Sequence, residues 1–581
     1  MSEARSGTVP TFRRHVILAL FGIVAAMLGW RAIELQLMTS EFLQQHGDAR
    51  HLRDVSVPVH RSMITDRNGE PVAISTPVQA VWGVPRQLAR FRGRWPALTA
   101  ELGITEQYLD ALVAPRLDRE FLYIKRQVSP ETAAAVDALQ IPGVGLLEEY
   151  RRYYPTGEVT AHVVGFTNVD DRGQEGLELS YDAQLVGEPG MNRVIKDRLG
   201  RVVEEVEQLK AAAPGTALAI SIDKRLQYVA YRELKAAVQT HGARAGSIVV
   251  MDPLTGEVLA MVNQPSFNPN NRRELKGQNY RNRAVTDIFE PGSTAKPFTV
   301  AAALESGAYS PNTRIDTSPG VFMVGGHTVQ DARNNGVISV KDVLVRSSNV
   351  GASKIALSLE PQLLWNMFDR LGFGRTAGSG FPGEASGRLH SFYNWREIEQ
   401  ATLSFGYGMS VSALHLTRAY AAIANDGMLP EVVLVKSAAP APASRAMSVS
   451  TSRTLRRMLR QVVESGTGRA ARVPGYTVAG KTGTVHKADG QGYAEHRYLS
   501  LFVGMLPATR PRLVAFVVLD EPSGGEYYGG KVAAPVFARL MHEATRILNI
   551  PPDNARGGDT SRVIIGAAPN PALAVASEPL P

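Results

Sequence analysis

One long apolar run near the N-terminus constrains this chain more than any other sequence feature. Val16–Trp30 contains no charged side chain, and a weaker apolar stretch continues to Met38. Spanning a bilayer takes about 20 residues, and charged side chains at a helix end can extend to the interface. Basic residues before the run indicate that the N-terminus stays in the cytoplasm. We predict a cytoplasmic segment at 1–15 and a transmembrane anchor at 16–38, with the rest of the chain beyond the membrane.

Two other interpretations of this run remain open at the level of sequence, a cleaved signal peptide and a buried helix. No A-x-A site follows it cleanly, which argues against cleavage. The rest of the chain is ordinary for folded domains, with 44% apolar residues and a formal net charge of +8 in 581 residues. Collagen, wholesale disorder and a polytopic membrane protein are excluded. The basic excess is spread along the chain without a dense block, so we expect no nucleic-acid partner.

The chain contains no cysteine. This absence excludes a thiol nucleophile, a disulfide framework, a cysteine-ligated zinc and an iron–sulfur cluster. We expect neither a metal nor an organic cofactor. Any nucleophilic chemistry must therefore use another side chain, such as a serine hydroxyl.

The pattern of elements predicts an α+β chain. Leu218–Ile222 alternates like a strand, and Asp223 is suited to cap a helix from Lys224 to about Gln239. Two hairpins are predicted, Ser247–Met251 with Val258–Val262, and 501–506 with 513–519, and an amphipathic helix is expected at 533–548. Strands on both sides of a long helical region, about 293–470, predict one sheet built from both ends of a domain and covered by helices. Beyond residue 553, Ala, Pro and Gly dominate, which predicts a disordered tail at 553–581.

Three short motifs carry the chemistry, and two of them occur more than once. Ser-x-x-Lys occurs at Ser221 and at Ser293, and among the plausible places Ser-x-Asn occurs at Ser266 and at Ser347. Lys-Thr-Gly occurs at Lys481. Together they are the motif set of β-lactamases and penicillin-binding proteins. Each motif is weak alone, so the copies must be chosen by their context.

Physical context favours the second copy of each repeated motif. A serine and a lysine three residues apart share a face only within a helix. Ser221 ends a strand pattern and is separated from its lysine by a predicted helix cap, whereas Ser293 follows Pro291-Gly292 and opens an apolar helical run. Ser266 lies in a loop flanked by prolines, while Ser347 lies between helical segments, where a tight loop can orient it. The predicted catalytic residues are those of the chosen motifs: Ser293, Lys296, Ser347, Asn349 and Lys481.

The roles of these residues follow from what a serine nucleophile requires. A hydroxyl attacks poorly until a base removes its proton, and Lys296 can be that base only as a neutral amine. Burial and a second cation, Lys481, would both lower its pKa from about 10.4. Asn349 could hold this lysine and the substrate amide, and Ser347 could relay a proton to the leaving group. The backbone N–H groups of Ser293 and Thr484 could form an oxyanion hole, and Thr482 with Thr484 could bind a substrate carboxylate.

The sequence resembles the class B penicillin-binding proteins, and within them the division-specific FtsI type of Gram-negative bacteria. Beyond the motifs, the resemblance rests on Arg61–Gly69, Arg151–Phe166, Phe289–Phe298, Phe405–Ser412 and Tyr527–Phe537, and it covers nearly the whole chain. It implies an elongated mixed α/β pedestal, non-catalytic and engaged in dimerisation or partner binding, at 45–222. It also implies a β-lactamase-like transpeptidase domain, an antiparallel sheet between helices, at 223–552.

The resemblance further implies the reaction and the rest of the site. The expected substrate is a peptidoglycan stem peptide ending in D-Ala-D-Ala, which Ser293 would attack with release of D-Ala before a neighbouring amine resolves the acyl-enzyme. β-Lactams would acylate the same serine. The further residues expected to bind substrate or line its pocket are Thr482, Gly483, Thr484, Tyr407, Gly408, Tyr528 and Gly529. The expected partners are a SEDS-type glycosyltransferase and other divisome membrane proteins, at the inner membrane, with the catalytic domain in the periplasm.

Other functions share these motifs. A D,D-carboxypeptidase or a β-lactamase would resolve the same acyl-enzyme with water, and Glu384 falls near the expected position of a β-lactamase's water-activating glutamate, although without that motif's flanking residues. A non-catalytic sensor would need a cytoplasmic output module, for which the 15 or so residues before the anchor leave no room. An elongation-specific or condition-specific paralogue remains an open alternative to the division role.

Overall fold

The structure is a computed structural model that describes residues 11–35, 52–57, 59–196, 202–271, 277–437, 442–489 and 492–554. Several predicted segments lie partly outside these ranges. They are the start of the cytoplasmic segment at 1–10, the end of the anchor at 36–38, the start of the pedestal at 45–51, and all but the first two residues of the predicted tail at 553–581.

The apolar run forms a helix, α1, over Thr11–Ile33. Its stretch Phe12–Ile33 has a mean hydropathy of 2.2 over its most apolar window, and none of that window is buried against the protein. Arg31 at its end pairs with Glu34 at 2.7 Å. A buried helix is therefore excluded, and the length and exposure of α1 suit a membrane anchor, which begins five residues before the predicted Val16.

The elements between α1 and residue 222 are a mixture of strands and helices. They are the strands β1 Leu52–Val57, β2 Ile64–Thr65, β3 Pro71–Gly83, β4 Leu122–Val128, β5 Val144–Tyr153, β6 Phe166–Thr167, β7 Gly173–Glu175, β8 Gly190–Lys196, β9 Val202–Lys210 and β10 Leu218–Ala219, and the helices α2 Pro85–Leu88, α3 Trp95–Leu102, α4 Glu106–Val113, α5 Pro130–Ala138, α6 Ala161–Val164, α7 Gly176–Ser180 and α8 Asp182–Val186.

The described residues divide into two compact units. One takes its residues from Met1–Arg61, Pro77–Tyr150 and Val186–Gly215, and the other from Ser62–Thr76, Arg151–Leu185 and Thr216–Pro581. The expected pedestal at 45–222 thus contributes residues to both units. The physical reason is pairing and packing within the second unit, where β2 pairs in parallel with β10 and the segment after residue 150 carries a fully buried ion pair, Arg152 to Glu178 at 2.7 Å.

The first unit has its own small core. β1, β8 and β9 form one antiparallel sheet. A separate cluster of buried side chains includes Trp95, Leu98 and Leu102 of α3 and Leu109 and Val113 of α4. These positions recur at three- and four-residue spacing, as expected for helices that bury one face.

The elements after residue 222 all belong to the second unit. They are the helices α9 Lys224–Thr240, α10 Arg283–Thr286, α11 Lys296–Glu305, α12 Val340–Arg346, α13 Asn349–Leu357, α14 Pro361–Arg370, α15 Glu397–Leu403, α16 Ala413–Ala424, α17 Val449–Glu464 and α18 Gly529–Ile547, and the strands β11 Ala245–Met251, β12 Val258–Gln264, β13 Arg314–Asp316, β14 Val321–Val324, β15 His327–Gln330, β16 Val337–Ser339, β17 Met428–Pro430, β18 Ala443–Arg445, β19 Ala479–Asp489, β20 Gly492–Leu506 and β21 Leu513–Asp520.

The central sheet has the order β12-β11-β21-β20-β19, with every neighbouring pair antiparallel. Both faces are covered, which explains why its strands are almost continuously apolar. Val249 of β11 packs into a cluster with Phe298 and Tyr420, whereas its neighbour Ile248 packs into a cluster with residues of α9 and α18. The predicted sheet, assembled from both ends of the domain and enclosed by helices, is confirmed.

The predicted elements match closely within this unit, with small shifts at the ends. Asp223 caps α9 by accepting hydrogen bonds from the N–H groups of Arg225 and Leu226, and both hairpins form as predicted. α18 begins at Gly529, four residues before the prediction. Asp553, placed in the tail by its composition, instead packs against the domain and accepts a 2.7 Å hydrogen bond from the Thr477 N–H.

Candidate active site

The serine of the chosen Ser-x-x-Lys motif lies in a tight 3₁₀ turn, Gly292–Thr294, directly before α11. Gly292 has φ +52°, and a Cβ there would lie 2.4 Å from Val485 Cγ2, so only glycine fits. The Tyr420 hydroxyl donates a 2.8 Å hydrogen bond to the Thr294 carbonyl and holds the turn from below. Ser293 remains partly exposed while Gly292 and Thr294 are buried. The turn therefore presents one hydroxyl from a rigid base.

Lys296 is the first residue of α11 and is fully buried. Its Nζ lies 3.0 Å from Ser293 Oγ and donates hydrogen bonds to the Ser347 carbonyl at 2.6 Å and to Asn349 Oδ1 at 2.8 Å. Burial is the main cause that lowers the pKa of this amine well below its ordinary value, and the nearby charge of Lys481 lowers it further. A neutral amine within hydrogen-bonding distance of a serine hydroxyl has the state and the position of a general base.

Ser347 joins the two lysines. It occupies the loop between α12 and α13 with φ +61°, a left-handed conformation that is uncommon outside glycine. Its Oγ lies 3.2 Å from Lys296 Nζ and 3.0 Å from Lys481 Nζ. Lys481, on β19, is fully buried, and burial lowers its pKa to about 7. The five residues selected from the motifs therefore form one connected cluster, although they come from three distant parts of the chain.

Asp331 supports this cluster and was not predicted from the sequence. One carboxylate oxygen accepts the N–H groups of Asn349 at 2.5 Å and Val350 at 3.0 Å. The other accepts the Ser348 hydroxyl at 2.5 Å. Asp331 thus caps α13 and fixes the Ser-x-Asn motif, and its charge partly opposes the lowering of the Lys296 pKa. A single aspartate after a short strand gives no signal of this role, because the contact depends on the tertiary fold.

The remaining residues expected to bind substrate are distributed along β19 and its neighbours. Thr484 Oγ1 accepts a 3.0 Å hydrogen bond from the Gly529 N–H, and the Thr482 hydroxyl shares one of 2.7 Å with Thr467. A Cβ on Gly529 would lie 2.2 Å from the Gly483 carbonyl, so the glycine at position 529 allows α18 to pack closely on β19. Strand alternation gives Thr482 and Thr484 one face of β19 and Lys481 the other.

The predicted pocket-wall residues form two groups, Tyr407 with Gly408 and Tyr528 with Gly529. Gly408 donates its N–H to Glu290 Oε1 at 2.8 Å, and the Tyr407 ring contacts the Tyr493 ring edge-on at 5.6 Å. Tyr528 is largely exposed and stacks on Tyr527, with ring centroids 4.5 Å apart.

The other motif copies and the hydrolase-like glutamate have structural roles. The Ser221 hydroxyl donates to the carbonyls of Val258 and Val433 and is fully buried. Ser266 donates to the Glu158 carbonyl. Glu384 accepts hydrogen bonds from the N–H and the hydroxyl of Ser379 within its own loop.

Two family models match this chain. The penicillin-binding protein transpeptidase domain matches residues 246–542, and the penicillin-binding protein dimerisation domain matches residues 56–220.

Similar proteins and structures extend over most of the chain. It is 42% identical over 544 residues to the probable peptidoglycan D,D-transpeptidase PbpC of Pseudomonas aeruginosa, covering 94% of this chain and 96% of that one. It is also 42% identical over 556 residues to the peptidoglycan D,D-transpeptidase FtsI of Escherichia coli, covering 95% and 93%. The structure of penicillin-binding protein 3 from Mycobacterium tuberculosis with aztreonam aligns with a TM-score of 0.67 at 29% identity, covering 86% of this chain and 98% of that one. The transpeptidase domain of Burkholderia pseudomallei penicillin-binding protein 3 aligns at 45% identity with a TM-score of 0.54, covering 57% and 97%. The chain therefore belongs to the penicillin-binding proteins, and within them to the class B proteins of the FtsI type.

Proposed function

We propose that this chain is a peptidoglycan D,D-transpeptidase that cross-links stem peptides through an acyl-serine intermediate and releases D-Ala. The observation that carries the proposal is the position of Lys296, a buried amine with a lowered pKa, 3.0 Å from Ser293 Oγ. β-Lactams acylate the same serine because they imitate the donor peptide.

The cluster supports a complete acylation step. Neutral Lys296 takes the proton from Ser293 Oγ, and the oxygen attacks the carbonyl carbon of the penultimate D-Ala. The N–H groups of Ser293 and Thr484 bind the oxyanion, each contributing roughly 3–4 kcal/mol. The C–N bond then breaks, and the proton passes from Lys296 through the Ser347 hydroxyl, 3.2 Å away, to the leaving amine of D-Ala. Lys481 stays close to that hydroxyl and stabilises the developing negative charge.

The proposed substrate contacts extend along β19. Thr484 is partly exposed, and its hydroxyl and that of Thr482 bind the terminal carboxylate of the donor at the free edge of β19, which is the last strand of the sheet and also carries Lys481. Gly483 leaves room for the peptide backbone. Asn349, which already accepts a hydrogen bond from Lys296, uses its side-chain amide to hold the substrate amide. Tyr407, Gly408, Tyr528 and Gly529 line the walls of the pocket.

The similarity to FtsI of Escherichia coli supports a role in the division septum. PbpC of Pseudomonas aeruginosa, a probable peptidoglycan D,D-transpeptidase, is equally similar, so an elongation-specific or condition-specific paralogue is the second candidate. Both candidates carry out the same reaction, so they differ only in where and when the enzyme acts. A functional fluorescent fusion should concentrate at mid-cell for the division enzyme, and a side-wall distribution would favour an elongation-specific paralogue.

The site of acylation tests the proposed reaction directly. After incubation of the full-length protein with benzylpenicillin and proteolysis, we expect mass spectrometry to find the penicilloyl adduct on Ser293. An adduct on Ser221 or Ser266, the serines of the rejected motif copies, would contradict the proposal. An intact protein without any adduct would also contradict it.

α1 supports an orientation at the inner membrane with the catalytic domain in the periplasm, where a SEDS-type glycosyltransferase and other divisome membrane proteins would be its partners. Arg13 and Arg14 at the start of the helix favour a cytoplasmic N-terminus. We expect alkaline phosphatase fused after Ile550 to be active. Green fluorescent protein fused at the same position and exported by the Sec route should not fluoresce. Fluorescence from the green fluorescent protein fusion would contradict the proposed orientation, because it would place residue 550 in the cytoplasm.

A further inference from the structure

One cavity of the second unit, with a volume of about 650 Å³, is lined by six arginines. They come from α17 and from the turn that joins β20 to β21. Among the residues that the structure describes, neither the catalytic cluster nor the residues expected to bind substrate contribute to its lining. We call it the arginine cavity. Its arginines are Arg453, Arg456, Arg457, Arg460, Arg510 and Arg512.

Four of these arginines form one face of α17. Side chains at positions i, i+3, i+4 and i+7 of a helix lie on the same face, and this is the spacing from Arg453 to Arg460. The opposite face, which includes Leu459, is buried in the core. At 1.5 Å per residue the arginine row is about 10 Å long. Because Arg510 and Arg512 belong to the turn, the arginines reach the cavity from two separate elements.

Asp426 is the one carboxylate among the described residues that line the arginine cavity, and it holds two of the arginines. Its oxygens accept hydrogen bonds from Arg453 at 2.7 Å and from Arg456 at 3.0 Å. Arg456 also donates to the Ala424 carbonyl at 3.0 Å. Two guanidinium groups are thus fixed in position before a ligand binds, which lowers the entropic cost of binding.

Three other guanidinium groups of the lining have no carboxylate partner. Arg457, Arg510 and Arg512 form no ion pair with any residue in the described ranges. Arg512 also lines a neighbouring cavity, where one aspartate pairs with Arg225 at 2.7 Å and the other accepts the N–H of Leu254 within its own turn. These guanidinium groups are therefore available to an anion.

The arginine cavity carries an excess of positive charge even when neighbouring carboxylates are included. Arg460 pairs with Glu464 at 2.5 Å, and Asp553 accepts the Thr509 hydroxyl at 2.6 Å, although neither carboxylate lines the cavity. With these two and Asp426 counted, the six arginines still exceed the carboxylates by three. Like charges gathered around one cavity repel each other, so an anion that enters it relieves the repulsion.

We propose that the arginine cavity binds a ligand with two neighbouring phosphate groups, held between the α17 row and the β20–β21 turn. Two phosphates supply roughly −3 to −4 at neutral pH, which matches the excess positive charge. Each phosphate offers three acceptor oxygens, and the planar guanidinium fork binds such oxygens in pairs. Arginines on a single helix would suit an acidic partner helix, whereas arginines from two elements around one cavity favour a compact ligand. The inference goes beyond the transpeptidase reaction and does not depend on it.

Binding of inorganic pyrophosphate to the full-length protein in detergent tests the proposal. By isothermal titration calorimetry we expect pyrophosphate to bind at least about tenfold more tightly than orthophosphate, because its second phosphate reaches the second element. In Arg457→Gln/Arg510→Gln the affinity for pyrophosphate should fall at least about tenfold. In Arg457→Lys/Arg510→Lys it should fall at least about threefold, because lysine keeps the charge and lacks the fork. Both arginines are exposed, so each variant should keep the unfolding temperature of the unmodified protein.

A control variant and two competitors make the test decisive. Arg86→Gln/Arg90→Gln removes the same charge from exposed positions outside the cavity and should keep the affinity within about twofold. Cardiolipin carries two phosphates. Its displacement of pyrophosphate in mixed micelles, where phosphatidylcholine does not compete, would identify a lipid headgroup as the ligand, and no displacement would identify a soluble phosphate compound.

Four results would overturn the proposal. They are pyrophosphate binding no tighter than orthophosphate, full affinity in the glutamine variant, full affinity in the lysine variant, and tighter binding of hexaglutamate than of pyrophosphate. Full affinity in the lysine variant would show attraction by charge alone, and tight binding of hexaglutamate would indicate an acidic peptide as the partner.

Discussion

Replacing Lys296 with alanine is expected to slow the acylation of Ser293 by penicillin about a thousandfold. This corresponds to about 4 kcal/mol in the activation free energy. Lys296 Nζ is 3.0 Å from the hydroxyl, and burial together with Lys481 favours its neutral form. Without this amine, Ser293 must lose its proton to water. Stopped-flow or gel-based labelling with a fluorescent penicillin measures the rate directly.

Lys296 is fully buried, so its removal also leaves a space in the core. Lys296→Met retains most of the volume and should lose acylation equally while unfolding at nearly the same temperature. Lys354→Ala is a matched control, because this lysine lies on α13 but donates to the Asp316 carbonyl, away from the cluster. If Lys296→Met acylates within about tenfold of the rate of the unmodified protein, Lys296 is not the general base and another group removes the proton.

The lowered pKa values of Lys296 and Lys481 predict a bell-shaped dependence of the acylation rate on pH. As pH falls through the lowered pKa of Lys296, that amine gains a proton and can no longer act as a base, so the rate falls. As pH rises through about 7, Lys481 loses its proton and its charge, so a second fall is expected on the alkaline side. In Lys481→Arg the alkaline limb of the profile should move to higher pH, because a guanidinium keeps its charge. An alkaline limb that does not move would exclude Lys481 as its origin.

Local patterns were sufficient to predict the sheet and its main helices. The strands Ser247–Met251 and Val258–Val262 are apolar and are separated by a strong turn, and Asp223 marks a helix start by its own side chain. The division of the predicted pedestal, 45–222, between the two units could not be predicted from local patterns. Strands of two residues such as β2 carry no periodicity, and the Arg152–Glu178 ion pair depends on tertiary packing alone.

The residues of the candidate site that belong to the three motifs were predicted from the sequence. Choosing Ser293 over Ser221 depended on helix geometry, and the structure brings the chosen residues together. Asp331 was missed because isolated acidic residues are frequent on protein surfaces. Only the fold shows that Asp331 meets the Ser-x-Asn loop.

Replacing Asp331 with asparagine is expected to lower the acylation rate about a hundredfold, or about 2.7 kcal/mol. The change keeps the shape but exchanges one acceptor oxygen for a donor, which then faces the Asn335 amide group that donates to Asp331 at 3.0 Å. The Ser348 hydroxyl loses its charged acceptor, so the loop that holds Ser347 and Asn349 loses its fixed position. The variant also removes a negative charge that raises the Lys296 pKa. The acid limb of the pH profile should therefore move to lower pH.

The shift of the acid limb separates this role from a purely structural one. Asp342, five residues before Ser347, is a matched control, since its carboxylate closes the capping box of α12 by accepting the Ser339 backbone N–H at 3.4 Å and also accepts the Ser339 hydroxyl at 2.6 Å. Asp342→Asn should lower the unfolding temperature in the same way, because both changes weaken a helix N-terminus, but it should leave the acid limb in place. If Asp331→Asn lowers the rate and the limb does not move, the carboxylate acts only by fixing the loop. An acylation rate equal to that of the unmodified protein would show that the Ser-x-Asn loop keeps its position without this aspartate.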